Sequence, residues 1–169
     1  MREVRAGVEA EVAVTVNGRR VVFEAGPRRT LAESLRTDAG LTSVRVGCAE
    51  GVCGTCTVSL DGKSIRSCLM LTLQADGSEV STVEGLGDAI EDLRRALIDH
   101  GAFQCGFCAS GVVVTAAEFL VGLDGDVPVE ADVRAAVAGS LCRCTGYQKI
   151  IAAITEVARA RSVTTARDR

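Results

Sequence analysis

Eight cysteines among 169 residues are the groups in this chain best able to do chemistry. They fall into two sets of four. Cys48, Cys53, Cys56 and Cys68 read C-x4-C-x2-C, then eleven residues, then C, which is the plant-type spacing for a [2Fe–2S] cluster. Three sulfurs must converge from one short loop, "GCAEGVCGTC", so the backbone has to wrap the core closely. Gly51 and Gly54 are free to take the backbone angles this needs, and they let main-chain N–H groups approach the sulfurs. Such donors offset the negative charge of the cluster and raise its reduction potential. Structural zinc favours two separated knuckles, and three ligands in one glycine-rich loop fit that pattern poorly. A Rieske centre needs two histidines, and the chain has only His100.

Cys105, Cys108, Cys142 and Cys144 read C-x2-C, a gap of 33 residues, then C-x-C. Alone, this spacing suits zinc or a [2Fe–2S] core equally well. Each pair falls near the start of a predicted helix, where free N–H groups favour the more anionic occupant.

The elements that must position these thiols change character near "EGLGD", residues 84–88. Before it, "EVAVTVNGRRVVFEA" alternates on both sides of Asn17-Gly18 and predicts a hairpin, because both turn positions need positive φ. "RTLAESLRTDAG" predicts a short helix with Thr30 as N-cap, Leu31 and Leu35 on one face and Gly40 as stop. "CTVSLDGKSIRSC" predicts a second hairpin turning at Asp61-Gly62, and "SEVSTVEGL" a closing strand. These make a small mixed sheet crossed by one helix. After the boundary the period becomes helical. "DAIEDLRRALIDHGA" puts Ile90, Leu93, Leu97 and Ile98 on one stripe, and "SGVVVTAAEFLVGL", "VEADVRAAVAG" and "YQKIIAAITEVARA" follow as three more helices of a compact bundle. About ten N-terminal residues are expected to be loose, and residues 162–169 to form a polar tail.

Composition narrows the function. Apolar residues are 47% and charged residues 24%, as in a globular chain, and the net charge is −3. Lys and Arg are scattered, which argues against nucleic acid. Mean hydropathy is +0.25, yet the longest apolar stretch, "GVVVTAAEFLVGL", is interrupted by Glu118 and too short to span a bilayer. The surplus predicts a buried partner interface. "MREVRAGVEAEVAV" has no apolar signal core, so a cytoplasmic chain is expected, and in a reducing compartment thiols bind metal more readily than they pair. No Ser–His–Asp set, phosphate loop or carboxylate pair points to bond chemistry in this chain alone. His100 reads as a helix-end residue, Tyr147 as packing, Phe103 and Phe107 as apolar cover, and Glu91, Asp92 and Asp99 as a solvated face.

"GCAEGVCGTC", "QCGFC" and "LCRCTGYQKI", in that order, resemble the iron–sulfur (small) subunit of the xanthine dehydrogenase or molybdenum hydroxylase family, including the small subunits of carbon monoxide dehydrogenases. The resemblance runs from about Val12 to Ile154. It implies an α+β chain: an N-terminal β-grasp, plant-type [2Fe–2S] ferredoxin domain (residues 1–86), then a C-terminal four-helix-bundle [2Fe–2S] domain (residues 87–161). By the same resemblance, Cys48, Cys53, Cys56 and Cys68 hold the cluster nearer a flavin, and Cys105, Cys108, Cys142 and Cys144 the one beside a molybdopterin. Gln104 would hydrogen-bond the pterin, and the Cys144 sulfur would lie closest to the pterin amino group. The implied partners are a molybdopterin-binding large subunit and an FAD-binding medium subunit, in a heterotrimer able to dimerise. The implied activity is a relay of single electrons from molybdenum through two [2Fe–2S] clusters to FAD, within an oxidoreductase that this chain does not catalyse alone. A free-standing ferredoxin-like carrier and a zinc-binding interaction module are the alternatives. The family commonly has Thr-Pro after "QCGFC" and Asn before "LCRC"; here Ala109-Ser110 and Ser140 stand there, beside the expected pterin contact.

Overall fold

The alternating N-terminal segment forms the hairpin its pattern predicts. In this computed structural model, which describes residues 9–123 and 125–167, β1 (Ala10–Val16) pairs antiparallel with β2 (Arg19–Ala25), with Val16 opposite Arg19. Asn17 and Gly18 turn the chain at φ 49° and 76°, the positive angles that match the strand twist. Val12, Val14, Val16 and Phe23 point inward and are buried. Residues 1–8 of the expected loose N-terminus lie outside the described residues, and Ala10 already belongs to β1.

α1 (Leu31–Thr37) begins at a complete capping box. The Glu33 N–H donates to Thr30 Oγ1 at 3.3 Å, and the Thr30 N–H donates to the Glu33 carboxylate at 2.8 Å, an arrangement that stabilises a helix by about 1 kcal/mol. The Thr30 N–H foremost, and then the Thr30 hydroxyl at 2.9 Å, hold the Glu33 carboxyl below its ordinary value. The helix lays Leu31, Ala32 and Leu35 on the sheet.

β3 (Thr57–Leu60) and β4 (Lys63–Arg66) form the second hairpin around Asp61 and Gly62, at φ 48° and 82°. β5 (Glu79–Ser81) inserts between β1, to which it runs parallel, and β3, to which it runs antiparallel. The order is β2-β1-β5-β3-β4, a five-stranded mixed sheet with one helix across it: the β-grasp arrangement. No regular element lies between α1 and β3, and that span carries the first three cysteines.

The second half is helical: α2 (Glu91–Asp99), α3 (Ala109–Gly122), α4 (Glu130–Val137) and α5 (Gln148–Arg167). They enclose a separate core that includes Leu93, Leu97, Val112, Val133, Ile150 and Ile154. Three expectations are corrected here. Ile98 is 70% exposed; five residues beyond Leu93 it stands ~140° around the helix, off the buried stripe. α5 continues into the polar tail, because Ser162 is buried and its hydroxyl hydrogen-bonds the carbonyls of Asp126 and Ala158, both at 2.9 Å. Asp92 is not simply solvated: Arg161 Nη2 and Nε on α5 grip both its oxygens at 2.7 and 2.8 Å.

The halves meet where α3 crosses β3 and β4. The Ser64 N–H donates to the Glu118 carboxylate at 2.6 Å, and Lys63 stands 3.8 Å from it. Where the chain leaves the sheet half, Asn17 pairs twice with Thr82, donating to its hydroxyl at 3.0 Å and accepting from its N–H at 2.8 Å. Glu84 then reaches back to the N–H and hydroxyl of Ser43 and to the Thr82 hydroxyl. Burial pushes the Glu84 carboxyl up, but these hydrogen bonds outweigh it and leave the group below its ordinary value. Among the described residues no helix is long and apolar enough to cross a membrane.

Candidate metal centres

Each quartet gathers at the surface of its own core, and each divides into two pairs. In the sheet half, Cys48 pairs with Cys53, and Cys56 with Cys68. In the helical half, the Cys144 and Cys105 sulfurs are 3.6 Å apart, and Cys108 pairs with Cys142. Among the described residues no group of three or more Cys, His, Asp or Glu converges on a point fit for one ion. A mononuclear zinc site asks for four donors around one centre. A two-iron core asks for two thiolates on each iron, and two-by-two pairing is the donor arrangement found.

The pairs differ in depth. Cys56 and Cys68 are buried in the sheet core and Cys108 in the helical core, whereas Cys105 and Cys144 are exposed. Burial pushes the Cys68 thiol up to about 11 and the Cys108 thiol up to about 12. Thiols held that high bind as thiolates only where a cation compensates, and a coordinating metal deprotonates them outright. Cys48 is the opposite case. The N–H groups of Cys53 and Glu50 approach its sulfur at 3.4 and 3.3 Å, and these donors, Cys53 first, bring it down to about 7. Cys105 is lowered chiefly by the Phe107 N–H. Cys144 is raised, first by its contact with the Cys105 thiol. For Cys142, burial pushes up, yet the Thr145 hydroxyl and the N–H groups of Cys144 and Thr145 bring the thiol down.

The glycines act as their spacing predicts. Gly51 and Gly54 both sit at φ 75°. A methyl group on Gly54 would stand 2.4 Å from the Gly139 carbonyl oxygen, so this residue also brings the second cysteine loop against the first. The Leu141 N–H donates to the Cys53 carbonyl at 2.9 Å, which joins a residue of one quartet to the neighbour of Cys142 in the other. Arg45 crosses as well: its guanidinium donates to the Gly106 carbonyl and stands 5.5 Å from the centre of the Phe107 ring. Arg66 donates to the Gly139 carbonyl at 2.6 Å.

Cys108 is the N-cap of α3, and Cys142 and Cys144 lie in the loop just before α5, so each pair falls near a helix start as the spacing suggests. Gly146 and Tyr147, at φ 61° and 68°, insert a turn between the C-x-C pair and the helix. Several residues stand in places the sequence did not indicate. Tyr147 does more than pack: its phenol oxygen accepts from the Cys142 N–H at 2.7 Å and donates to the Ser140 carbonyl at 3.1 Å, clamping the C-x-C loop. Ser110 and Ser140 face the sheet half instead of the exposed Cys105–Cys144 edge. The Ser110 hydroxyl donates to the Ser43 carbonyl at 2.7 Å, and Ser140 is buried against Gly54. Gln104 is at the exposed edge, its Nε2 donating to the Cys144 carbonyl at 3.3 Å. The His100 ring contacts Glu156 on α5 at 2.8 Å, not the carbonyls of its own helix end. Phe103 packs on the helical core, while Phe107 is 46% exposed.

Comparison with known proteins agrees with this geometry. Residues 14–79 match the family described as a 2Fe-2S iron-sulfur cluster binding domain, and residues 82–155 the family described as a [2Fe-2S] binding domain. The nicotine 6-hydroxylase small subunit of Paenarthrobacter nicotinovorans is 46% identical over 147 residues, 86% of this chain and 88% of that one. The xanthine dehydrogenase iron-sulfur-binding subunit of Escherichia coli O157:H7 is 40% identical over 142 residues, covering 83% and 89%. A chain of quinoline 2-oxidoreductase from Pseudomonas putida 86 superposes with a TM-score of 0.84 at 42% identity, over 94% of this chain and 97% of that one. In the aldehyde oxidoreductase of Desulfovibrio gigas the same fold, at TM-score 0.83 and 36% identity, occupies 17% of a longer chain. With two 2Fe-2S binding domains in series and relatives of this kind along most of its length, the chain belongs to the iron–sulfur small subunits of the xanthine dehydrogenase, or molybdenum hydroxylase, family, the non-catalytic electron-transfer subunits of oxidoreductases.

Proposed function

We propose that this chain relays single electrons from a molybdopterin site on a large subunit, through the helical-half cluster and then the sheet-half cluster, to FAD on a medium subunit. In this reading Cys48 and Cys53 hold one iron of the sheet-half cluster, and Cys56 and Cys68 the other. The exposed Cys105 and Cys144 would hold one iron of the helical-half cluster, and Cys108 and Cys142 the other. When bound, each [2Fe–2S] core takes up and gives back one electron at a time. The chain's own residues fix where the cores sit: N–H groups aim at the Cys48 sulfur, Tyr147 clamps the C-x-C loop, and the Leu141 N–H spans from one quartet to the other.

The observation that carries the direction of the relay is the exposed pair at one end of the helical half. Cys105 and Cys144 reach the surface together, and Gln104 lies beside them with its amide anchored on the Cys144 carbonyl. A pterin contact through Gln104 and the Cys144 sulfur suits that edge. The apolar surplus supports permanent partners. Val46, Val52, Leu69, Phe107 and Leu141 are all exposed large hydrophobics, and each lies within two residues of a cysteine. Exposed apolar side chains grouped around redox ligands are what docked subunits would cover. We place the complex in the cytoplasm as a heterotrimer able to dimerise, with residues 1–86 and 87–161 as the two domains and α5 carrying the second domain on to Arg167.

Cys144→Ser in the complete complex tests the path. We expect the fold and the sheet-half cluster to persist, and substrate-driven reduction of the flavin to slow at least tenfold. Flavin reduction at the native rate would refute the assigned order. Elemental analysis should find four irons and four acid-labile sulfides per chain; zinc without sulfide would remove the reading altogether.

A further inference from the structure

Each quartet has a threonine hydroxyl against one of its sulfurs. Thr55 Oγ1 lies 3.2 Å from Cys53 Sγ, and Thr145 Oγ1 lies 3.1 Å from Cys142 Sγ. A hydroxyl has one hydrogen to give. The Thr55 hydroxyl gives its hydrogen to the Arg45 carbonyl at 2.8 Å, so the neighbouring sulfur meets the oxygen's lone pairs. Thr145 is wired the other way. Its oxygen accepts from the Tyr147 N–H at 3.3 Å, and its only other hydrogen-bond partner among the described residues is the Cys142 sulfur. A cysteine that binds iron does so as a thiolate and has no hydrogen to offer. In that state the Thr145 hydroxyl must be the donor.

The loop holds this donor in place. Gly146 and Tyr147 turn the chain back at positive φ, which aims the Tyr147 N–H at the Thr145 oxygen. The Tyr147 phenol takes the Cys142 N–H, so that backbone donor is not available to the sulfurs. A hydrogen bond to a ligand sulfur stabilises the reduced, more negative cluster more than the oxidised one, and so raises its potential.

We infer that Thr145 is a positioning residue that sets the reduction potential of the helical-half cluster through an O–H···S bond to Cys142, and that Thr55 has no matching effect on the sheet-half cluster. The inference rests on the ligand assignment above and adds an asymmetry between two threonines at nearly equal distances from sulfur.

The test is a redox titration of the intact complex, following the two reduced-cluster paramagnetic signals separately. Thr145→Val should lower the potential of one signal by a roughly tenfold change in its one-electron equilibrium, about 59 mV, and leave the other in place. Thr145→Ala, which also lacks a donor but introduces no new branched side chain, should move the same signal the same way. Thr145→Ser should restore it. Thr55→Val should leave both potentials unmoved. Native potentials in both donor-less Thr145 variants would overturn the inference, as would an equal fall of the other signal in Thr55→Val. A wild-type complex with one quartet free of iron would instead overturn the ligand assignment itself.

Discussion

Gly111→Ala offers the sharpest test of how the two halves are joined. Gly111 is the third residue of α3 and is buried. A Cβ built there would stand 2.1 Å from the carbonyl oxygen of Gly54, inside the first cysteine loop, and 3.1 Å from its carbonyl carbon. Ordinary contact is about 3.5 Å, so helix and loop must separate by more than about 1 Å, backbone against backbone. By intrinsic propensity alone the change should stabilise α3 by up to about 1 kcal/mol. Overpacking of this kind costs about 1–3 kcal/mol, and because neither partner is a flexible side chain, the clash wins. Gly122→Ala, at the last position of the same helix, meets nothing within 4 Å, so it keeps the propensity gain without the clash. We expect thermal bleaching of the visible iron–sulfur absorption to occur at lower temperature in Gly111→Ala and at equal or higher temperature in Gly122→Ala. The magnetic coupling between the two reduced centres should weaken only in Gly111→Ala. A Gly111→Ala complex as stable and as strongly coupled as wild type would refute the view that close backbone contact fixes the spacing of the quartets.

Tyr147→Phe removes the phenol that links the Cys142 N–H to the Ser140 carbonyl. It should cost about 1–3 kcal/mol and speed iron loss to a chelator from the helical half first. Ser110→Ala should cost about 1 kcal/mol by releasing the Ser43 carbonyl across the junction, measured as a lower midpoint in urea. Asp92 is held below its ordinary value, first by the Arg161 hydrogen bond. Its contribution is therefore present above the unfolded carboxylate value near ~4 and is lost as pH falls through the lower folded value. Because both side chains are partly solvated, the effect should be no more than about 1 kcal/mol: Asp92→Asn should destabilise at neutral pH and make no difference in strong acid.

Much of the fold was legible because local rules dominate it. Asn17-Gly18 and Asp61-Gly62 take the positive φ their residue types suit, and Thr30 with Glu33 closes the cap as spacing suggests. What spacing could not give was tertiary. Ile98 is a separate case: its ~140° offset from Leu93 could have been counted from helical spacing, and composition alone put it on the stripe. The length of α5 depends on two anchors, Arg161 on Asp92 and Ser162 on the Asp126 carbonyl. Their partners lie 69 and 36 residues away in sequence, so no local pattern could reveal them.

Thiol spacing divides the cysteines into the two quartets that the fold gathers, one in each half, yet spacing says nothing of how two sets face each other. That information lies in groups without conspicuous chemistry. Gly54 gives conformational freedom to its own loop and clearance for the Gly139–Ser140 backbone, so one missing side chain serves both centres. Leu141 contributes a main-chain N–H to the Cys53 carbonyl while its side chain stays exposed. In the proposed relay electrons pass from one quartet to the other, and because such transfer depends steeply on separation, the distance between quartets would have to be fixed more rigidly than side-chain packing alone would fix it. Backbone-to-backbone contacts at Gly54, Gly111 and Leu141 do this, because main-chain atoms cannot swing to a new rotamer. The Ser110 and Ser140 departures both lie at this junction, and neither replaces a main-chain contact that sets the spacing.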